Sequence, residues 1–354
     1  MKNIADIDKN FKVETNIKKD DIRFYNALNT PCKVYGVFHE NGRYLRMPEA
    51  VAKTVSVGVC QLNSNTAGGR VRFKTNSPYI AISAKMGAIG KMSHFALTGS
   101  AGFDLYIKDR NTDKYIGSFI PPFDIKDGYE SLIELGTAEM REVTINFPLY
   151  SEVCDLYIGI SDAAVIEEAD EYKVKTPVVY YGSSITQGGC ASRPGNSYQS
   201  IISRRFNCDY INLGFSGNAR AEKEIADYIK RLDMSLFVYD YDHNAPTVQH
   251  LADTHEIMFK AIREENTDLP IIMMSRPKYY LDESEKQRLD IIENTYNNAI
   301  AAGDKNVYMI SGKTLMNMAG NEGTVDNCHP NDLGFASMAQ VLGDVIEKNH
   351  CIKF

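Results

Sequence analysis

Apolar and polar residues alternate along several short stretches of the first half of the chain. Residues 70–75 (RVRFKT) alternate strictly, residues 79–83 and 141–147 show the same period, and residues 156–160 form another strand-like run. Successive side chains of a strand point to opposite faces of its sheet, so this pattern predicts strands with one apolar face. Glycines and turn residues separate the runs. Short strands at this density indicate an antiparallel sandwich.

The pattern changes at Pro177, after which short apolar runs alternate with longer helical patterns. Strands are predicted at 178–182, 208–214, 235–241, 270–275 and 306–311, and helices at 197–207, 220–231, 247–265, 283–302 and 332–348. Strands that alternate with helices require right-handed crossovers, which build a parallel sheet covered on both faces. The acidic stretch 167–177 is the expected join. We therefore predict two domains, residues 1–170 and 171–354.

Composition and charge limit the partners that the chain can bind. Hydrophobic residues make up 44% and charged residues 24%, which is typical of a globular protein. The 39 Lys and Arg residues stand against 46 Asp and Glu residues, a net charge of −7. An acidic chain without a basic run binds nucleic acid or an anionic membrane poorly. No apolar run is long enough for a membrane-spanning helix.

The seven cysteines are odd in number and include no CxxC pair. This spacing favours neither a disulfide framework nor a zinc site, and it is typical of a reducing compartment. The N-terminal sequence MKNIADIDKNFKVE lacks the apolar core of a secretory signal. We therefore expect a cytoplasmic protein. The sequence leaves the oligomeric state open, a homo-oligomer included.

Loops that follow the predicted parallel strands carry the parts of an acyl-transfer site. Ligands bind at the carboxyl ends of such strands. Ser184 follows the first strand, and a serine hydroxyl becomes a nucleophile when a base removes its proton. His329 can be that base, held in the correct tautomer by the carboxylate of Asp326. The backbone N–H groups of Ser184 and Gly217 and the side-chain amide of Asn244 can bind the oxyanion.

Each of these parts also has an ordinary structural explanation. A Gly-Ser-Ser turn usually provides only an N-cap serine, and Gly-Phe-Ser-Gly is usually only a turn. An Asp-x-x-His pair before a helix commonly serves as a cap. The catalytic hypothesis depends on all of them falling at strand ends of one sheet.

Together the four segments resemble the SGNH, or GDSL-type, hydrolase superfamily. The resembling blocks are GSSIT (182–186), NLGFSGN (212–218), YDYDHN (239–244) and DNCHPND (326–332). The resemblance implies a flavodoxin-like, three-layer α/β/α domain with a parallel sheet. It implies Ser184 as the nucleophile, His329 as the base and Asp326 as its partner. It also implies that Gly217, Asn244 and the Ser184 N–H form the oxyanion hole.

A second resemblance lies in the N-terminal half. GFDLY (102–106) is similar to the GxDLY signature of a β-sandwich domain found ahead of certain GDSL-type hydrolases, and TAGGRVRF (66–73) fits the same subgroup. This resemblance implies a jelly-roll-like antiparallel sandwich before the SGNH domain.

Two positions depart from the superfamily pattern. The usual Asp before the nucleophile is Ser183, and the usual Gly-x-Asn-Asp block is DHNA at 242–245. The block thus lacks its glycine and its second acid, so the hydrogen bonds of those residues must be replaced or absent. Gly214 also competes with Gly217 for the oxyanion role.

The expected function is that of a serine esterase that hydrolyses short-chain acyl esters, with acetyl on a carbohydrate as the first choice. The polar loop 188–197 (GGCASRPGNS) favours a polar pocket, and related two-domain arrangements in the superfamily are similar to carbohydrate O-acetyl esterases. The expected partner is a small-molecule or oligosaccharide ester. The chemistry requires neither a metal nor an organic cofactor. The alternatives are an acyltransferase of the same mechanism and a catalytically inactive glycan-binding protein.

Polar side chains near the loops are candidates for substrate contacts. We predict that Gln187, Arg193 and His243 contact the substrate, and Arg220 and Arg276 could also bind a polar ligand. Three histidines at 243, 250 and 255 are close in sequence, but the spacing of the last two does not fit one helical face, so no metal site is predicted there.

Overall fold

The structure, a computed structural model, describes residues 16–110 and 112–353. Within them, residues 22–167 form twelve strands and three helices. The strands are β1 (Ile22–Asn26), β2 (Lys33–Tyr35), β3 (Phe38–Glu40), β4 (Arg43–Leu45), β5 (Arg70–Thr75), β6 (Tyr79–Met86), β7 (Phe103–Asp109), β8 (Thr112–Phe119), β9 (Gly128–Glu134), β10 (Arg141–Asn146), β11 (Val153–Ser161) and β12 (Ile166–Glu167). The helices are Glu49–Val55, Val57–Leu62 and Leu97–Ser100.

The strands of this half form a sandwich of two main sheets. One has the order β1-β11-β6-β9 and the other β12-β5-β10-β7-β8, with β2 also paired to β5, and all pairs are antiparallel. Val71 and Phe73 point into the apolar core between the sheets. Because side chains alternate along a strand, Arg70 and Arg72 lie on the opposite face of β5. The predicted antiparallel sandwich is confirmed.

The second half is a parallel sheet between two layers of helices. Its strands are β13 (Val174–Gly182), β14 (Cys208–Gly214), β15 (Leu236–Asp240), β16 (Ile271–Met274) and β17 (Val307–Ile310), in the order β14-β13-β15-β16-β17. Its helices are Ser184–Gln187, Tyr198–Phe206, Lys223–Ile229, Val248–Glu265, Glu283–Ala301, Gly312–Leu315 and Asp332–Lys348, with 3₁₀ turns at Pro194–Asn196, Asp242–Asn244 and Gly320–Gly323. This is the flavodoxin-like order, as predicted.

The strand order determines where a ligand site can form. The connections after β13 and β15 leave the sheet in opposite directions, which opens a crevice between their carboxyl ends. In the parallel register Gly182 aligns with both Gly214 and Asp240. The loops after β13, β14 and β15 therefore start at one level beside this crevice.

Two helices of the first half pack across the predicted join at residues 167–177. The helices Glu49–Val55 and Val57–Leu62, where only strands were expected, lie against the parallel sheet. Their residues Ala52 and Val59 belong to the same apolar core as Phe237 of β15. The N-terminal half thus supplies part of the helical layer on one face of the second half.

All seven cysteines are free thiols. No helix within residues 16–110 and 112–353 combines the length and the apolar character that crossing a lipid bilayer requires.

Candidate active site

Ser184 stands at the first turn that follows β13. Gly182 ends the strand, and a Cβ atom there would lie 2.2 Å from Thr186 Oγ1 and 2.3 Å from the carbonyl oxygen of Asp240, so only glycine fits. Ser183 caps the short helix Ser184–Gln187, because its Oγ accepts a hydrogen bond of 3.2 Å from the N–H of Ile185. Ser184 is thus the first helical residue, and its N–H has no partner within the helix.

Ser184, His329 and Asp326 form one continuous hydrogen-bonded chain. The Oγ of Ser184 lies 2.9 Å from Nε2 of His329, and Nδ1 of His329 lies 2.8 Å from Oδ2 of Asp326. A neutral imidazole in this arrangement donates from Nδ1 to the carboxylate and accepts at Nε2 from the serine. The structure therefore brings together the three side chains that the sequence proposed as a proton relay.

The turn that carries His329 also holds its carboxylate partner. Oδ1 of Asp326 accepts hydrogen bonds from the backbone N–H groups of Cys328 (3.1 Å) and His329 (2.7 Å). Partial burial opposes the charge of Asp326, but these bonds and the bond to the His329 ring outweigh it and lower the carboxyl pKa below its usual value. Asp326 is ionised at neutral pH and can stabilise a protonated His329.

Two hydrogen bonds connect the loops after β13, β14 and β15. The N–H of Ser216 donates to Oε1 of Gln187 (3.0 Å), and the N–H of Ala219 donates to Oδ1 of Asn244 (3.3 Å). In the part of the chain that the structure describes, no hydrogen bond engages the N–H of Gly217 or the Nδ2 group of Asn244. Both groups are thus available as donors beside the nucleophile loop.

Gly214 was the alternative to Gly217 as an oxyanion donor, but both of its backbone polar groups are hydrogen-bonded within the protein. Its N–H donates to Oδ1 of Asn212 (2.9 Å), and its carbonyl oxygen accepts from the buried guanidinium of Arg46. Gly217 has φ +69°, a conformation that glycine adopts without steric cost. The geometry favours Gly217 over Gly214 as a donor to a ligand.

The residues that depart from the superfamily pattern after β15 are held by two arginines. The carboxylate of Asp242 accepts from the backbone N–H (3.1 Å), Nε (3.1 Å) and Nη2 (3.0 Å) of Arg276. Arg288 donates to the carbonyl oxygens of Asp242 (2.9 Å) and Ala245 (3.0 Å). These bonds fix the turn that carries Asn244. Arg276 serves this turn, which corrects the expectation that it contacts substrate.

Burial and ion pairing act in opposite directions on Asp242. Its side chain is 1% exposed, and burial alone would raise the carboxyl pKa. The hydrogen bonds and the charge of Arg276 outweigh burial and lower that pKa below its ordinary value. The buried carboxylate is therefore charged and depends on its arginine partners.

The structure does not support a substrate contact by Gln187. This side chain is fully buried. Its Nε2 donates to Oδ1 of Asn65 (3.0 Å) and to the carbonyl oxygen of Leu149 (3.2 Å), and its Oε1 accepts from Ser216. Gln187 connects the nucleophile helix to the sandwich and to the loop after β14. The polar groups that suggested ligand binding are hydrogen-bonded within the protein.

Arg193 is held by the sandwich through the GxDLY segment. Its Nη1 contacts Oδ2 of Asp104 at 3.2 Å and also the hydroxyl of Tyr106. Oδ2 of Asp104 also accepts a hydrogen bond of 2.7 Å from the N–H of Gly195, and its Oδ1 accepts one of 2.7 Å from Nδ2 of Asn146. The GxDLY segment thus shapes the polar loop 188–197. A contact between Arg193 and substrate stays a prediction.

His243 lies close to the relay. Its Nδ1 is 3.8 Å from Sγ of Cys328, and its Nε2 is buried without a hydrogen-bond partner among the described residues. Burial lowers the pKa of His243 to about 3, and the positive charge of Arg276 acts in the same direction. The ring is neutral at neutral pH. Its contact with substrate stays a prediction.

Residues that the sequence did not single out also surround the relay. The hydroxyl of Tyr150 donates to the carbonyl oxygen of Ser184 (3.0 Å). The ring of His94 lies 5.6 Å from that of His329, and its Nε2 is 4.0 Å from Oδ2 of Asp326. Both belong to the N-terminal half and to no local motif, so no sequence signal could have revealed them.

One group near the relay could hold a metal ion. Ligand atoms of His94, Cys190 and His329 all lie within 4.8 Å of one another. A metal on His329 would compete with the hydrogen bonds that this ring makes to Ser184 and Asp326. The set fits an inhibitory ion better than a cofactor of acyl transfer.

Two family models match most of the chain. Residues 175–347 match the GDSL-like lipase/acylhydrolase family, and residues 22–166 match the GxDLY model, described as the N-terminus of esterases of the SGNH hydrolase type. No curated protein matches the sequence.

Solved structures share the same arrangement over nearly the whole chain. A Bacteroides ovatus protein classed among GDSL-like lipases is 30% identical, with 94% of this chain and 99% of that chain covered and a TM-score of 0.84. A salicylyl-acyltransferase from a tetracycline biosynthetic pathway is 17% identical, with coverages of 92% and 96% and a TM-score of 0.75. An acetyl xylan esterase from Butyrivibrio proteoclasticus is 12% identical, with coverages of 94% and 100% and a TM-score of 0.58. The last two show similarity of fold alone.

Proposed function

We propose that this chain, which belongs to the GDSL-like lipase and acylhydrolase family, is a serine esterase in which Ser184 is the nucleophile. The observation that carries the proposal is the hydrogen-bonded chain from Ser184 through His329 to Asp326, with distances of 2.9 and 2.8 Å. Such a chain activates a hydroxyl that is otherwise a weak nucleophile. The order of the chain makes Ser184 the nucleophile, His329 the base and Asp326 the partner of that base.

Acylation begins when Oγ of Ser184 attacks the ester carbonyl carbon and gives its proton to Nε2 of His329. The carbonyl oxygen becomes an oxyanion, which accepts hydrogen bonds from the N–H groups of Ser184 and Gly217 and from Nδ2 of Asn244. Asp326 stabilises the imidazolium. His329 then protonates the leaving oxygen, the alcohol departs, and the acyl group remains on Ser184.

Deacylation repeats these steps with water. His329 removes a proton from the water molecule as its oxygen attacks the acyl carbon. The second tetrahedral intermediate uses the same donors. It collapses when the Ser184 oxygen leaves with the proton from His329, which releases the carboxylic acid and restores the relay.

The exposure of the relay supports hydrolysis over transfer. The side chains of His329 and Asp326 are 23% and 35% exposed, so water can approach the base. Transfer to an alcohol is the second candidate, because the fold resembles that of the salicylyl-acyltransferase. Product analysis with and without an added alcohol acceptor separates the two. A product that is mainly the transferred ester would favour the acyltransferase.

For the substrate we infer a short acyl group, acetyl first, on a carbohydrate. The loop 188–197 beside the nucleophile is polar, which suits a sugar better than a long acyl chain. The fold similarity to an acetyl xylan esterase supports the same choice. We also propose a cytoplasmic location, because seven unpaired cysteines suit a reducing compartment.

The test combines labelling with turnover. A fluorophosphonate probe should label the wild type, whereas Ser184→Ala should be neither labelled nor active on p-nitrophenyl acetate. Ser284→Ala, which removes an exposed serine hydroxyl from the helix Glu283–Ala301, is the matched control and should behave as wild type. Retention of most activity by Ser184→Ala would refute the proposal, and absence of labelling in the wild type would favour the inactive glycan-binding alternative.

Acetate release from a panel of acetylated oligosaccharides tests the substrate class. We expect release from at least one of them and a preference for acetate over long-chain p-nitrophenyl esters. A clear preference for long chains would contradict the carbohydrate assignment while leaving the esterase mechanism intact.

A further inference from the structure

A polar cavity of about 550 Å³ lies between the outer face of the sandwich and the helix Tyr198–Phe206. Its walls include Arg70 and Arg72 of β5, Lys108 of β7 and Arg204 of the helix. Tyr172, which precedes β13, also lines it. The nucleophile loop follows the other end of β13, so the length of this nine-residue strand, roughly 25 Å, separates Tyr172 from Ser184. Neither the relay residues nor the oxyanion donors line the cavity. The cavity is thus distinct from the candidate active site.

The cavity concentrates positive charge in an acidic protein. Seven lysine and arginine residues line it, against two aspartates, Asp113 and Asp170. Two further carboxylates lie behind the wall, since Asp209 pairs with Arg70 and Glu142 with Arg72. Arg205 is paired with Asp344 and Glu347, so it is left out of the balance. The other six lysine and arginine residues stand against four carboxylates, and two positive charges are in excess. The whole chain carries a net charge of −7, so this local excess is not a consequence of composition.

Two of the five arginines of the wall are buried, which is unusual for a surface that binds only water. Arg70 and Arg72 are 2% and 3% exposed, because the second half of the chain covers the outer face of β5. Their guanidinium carbons lie 3.9 Å from the ring centre of Tyr210 and 4.1 Å from that of Tyr172. Stacking on aromatic rings fixes both groups in place. Rigid, partly desolvated guanidinium groups are effective anion ligands.

Arg72 has unused hydrogen-bonding capacity. Its Nη2 contacts Glu142, but its Nε and Nη1 are buried without a partner among the described residues. Buried donors of a charged group without an acceptor are unfavourable. An anion in the cavity, with a small rotation of this side chain, would supply acceptor atoms and balance the excess charge.

We propose that this cavity binds a small molecule that carries a phosphate group. A phosphate dianion matches an excess of more than one positive charge and accepts the paired hydrogen bonds that guanidinium groups donate. The volume exceeds that of phosphate alone and is in the range of small-molecule pockets, so a phosphate ester of sugar size fits. This site goes beyond the proposed esterase function and does not depend on it.

The variant that tests the site must spare residues with other duties. Arg204 donates to the carbonyl oxygen of Gly195 (2.8 Å), and Tyr106 contacts Arg193, so both also hold the loop 188–197. Lys108, Arg110 and Lys173 line the cavity from partly or fully exposed positions. Their joint replacement by glutamine removes three positive charges. It also removes the contact of Lys108 with Glu142 (3.3 Å), but Glu142 keeps its partner Arg72.

Isothermal titration calorimetry on the full chain tests the proposal with glucose 6-phosphate, inorganic phosphate and glucose as probes. We expect glucose 6-phosphate to bind, and the triple variant K108Q/R110Q/K173Q to bind it at least about tenfold more weakly. The control K53Q/K223Q/K286Q removes the same charge at exposed helical positions away from the cavity and should bind as wild type.

The probes decide between the sources of phosphate. Tighter binding of glucose 6-phosphate than of inorganic phosphate supports a phosphate ester as the occupant, and equal binding supports free phosphate in the same site. The proposal is overturned if neither phosphate binds, if glucose binds as tightly as its phosphate, or if the two triple variants weaken binding equally. Unchanged circular dichroism and thermal unfolding confirm that each variant is folded.

Discussion

Asp104 of the sandwich accepts a hydrogen bond of 2.7 Å from the backbone N–H of Gly195, which lies in the loop that follows the nucleophile helix. The two residues are 91 positions apart and belong to different halves of the chain. This bond and the contacts of Asp104 with Arg193 and Asn146 explain how the GxDLY segment acts on the site. Asp104 thus holds the loop 188–197 and acts on the site through that loop, not through the relay.

Asp104→Asn tests this connection. The replacement keeps the size of the side chain but places an NH₂ group against one of its present donors, so a buried donor loses its acceptor. We expect the free energy of unfolding to fall by about 1–3 kcal/mol and KM to rise, since the loop 188–197 loses its anchor. Urea denaturation and ester kinetics measure both. Asp124→Asn, at an exposed position of the sandwich, is the control. A change in kcat alone would contradict a positioning role.

Asn244→Ala tests the oxyanion donors. The Nδ2 group of Asn244 has no acceptor among the described residues, so its loss should matter chiefly when negative charge develops on the substrate. We expect kcat to fall by a factor of about 10²–10³ with little change in KM. Asn317→Ala, at an exposed position, should leave kcat unchanged. If Asn244→Ala instead raised KM alone, the amide would bind the ground state and not the oxyanion.

The two glycines of the loop after β14 should differ in their response to alanine. A Cβ at Gly214 would lie 2.2 Å from the backbone nitrogen of Gln187, so the nucleophile helix would have to move. A Cβ at Gly217 meets no atom within 4 Å and adds only the strain of a positive φ, about 1–2 kcal/mol. We expect Gly214→Ala to lose most activity and Gly217→Ala to lose mainly stability. Ester hydrolysis and urea denaturation, measured on both variants, distinguish these outcomes. Equal effects of the two alanine variants on activity and stability would contradict the different surroundings that the structure gives to Gly214 and Gly217.

The ion pair of Asp242 predicts a pH dependence of stability. Its pKa in the folded protein lies below the ordinary value of 3.8, so unfolding takes up a proton in acid. The stabilisation is therefore complete above about pH 4 and is lost as the pH falls through the folded pKa. Asp242→Asn leaves Arg288 without its buried charge partner and leaves Arg276 paired with Glu285 alone, so it should cost about 3–5 kcal/mol at neutral pH.

Urea denaturation of wild type and Asp242→Asn between neutral pH and about pH 3 checks this expectation. The difference between the two proteins should be largest near neutral pH and should decrease in acid. Asp253→Asn, on the exposed face of the helix Val248–Glu265, is the control and should show almost no difference. A difference that stays constant with pH would show that Asp242 acts through packing and not through its charge.

The parallel sheet was predictable because each strand is a short apolar run followed by a helical pattern. The strand at 208–214 and the helix at 332–348 have the bounds that their patterns predict. Strands β1–β4 and the helices between 49 and 62 were missed. They are short, and their apolar faces are completed only by distant parts of the chain, so local periodicity carries little information about them.

The relay was predictable for a similar reason, since Asp326 and His329 share one turn and Ser184 follows a clear strand. The residues that support it were not. Asp104, Tyr150 and His94 reach the site from the other half of the chain, and their roles exist only in three dimensions. For Gln187 the sequence suggested a role that the structure does not support. A polar residue in a functional loop was expected to face the ligand, but its side chain is buried and makes internal hydrogen bonds.

The helices at Glu49–Val55 and Val57–Leu62 have a consequence for how such a protein can change in evolution. They leave the sandwich and complete the apolar layer over the parallel sheet, where Met47 and Val59 lie in the same core as Ile225. An exchange of gene segments at the junction near residue 170 would therefore remove this layer from the catalytic half and expose the apolar face of its sheet. The two halves should be inherited as a pair, and a hybrid would have to carry the segment around 47–62 together with the sheet that it covers.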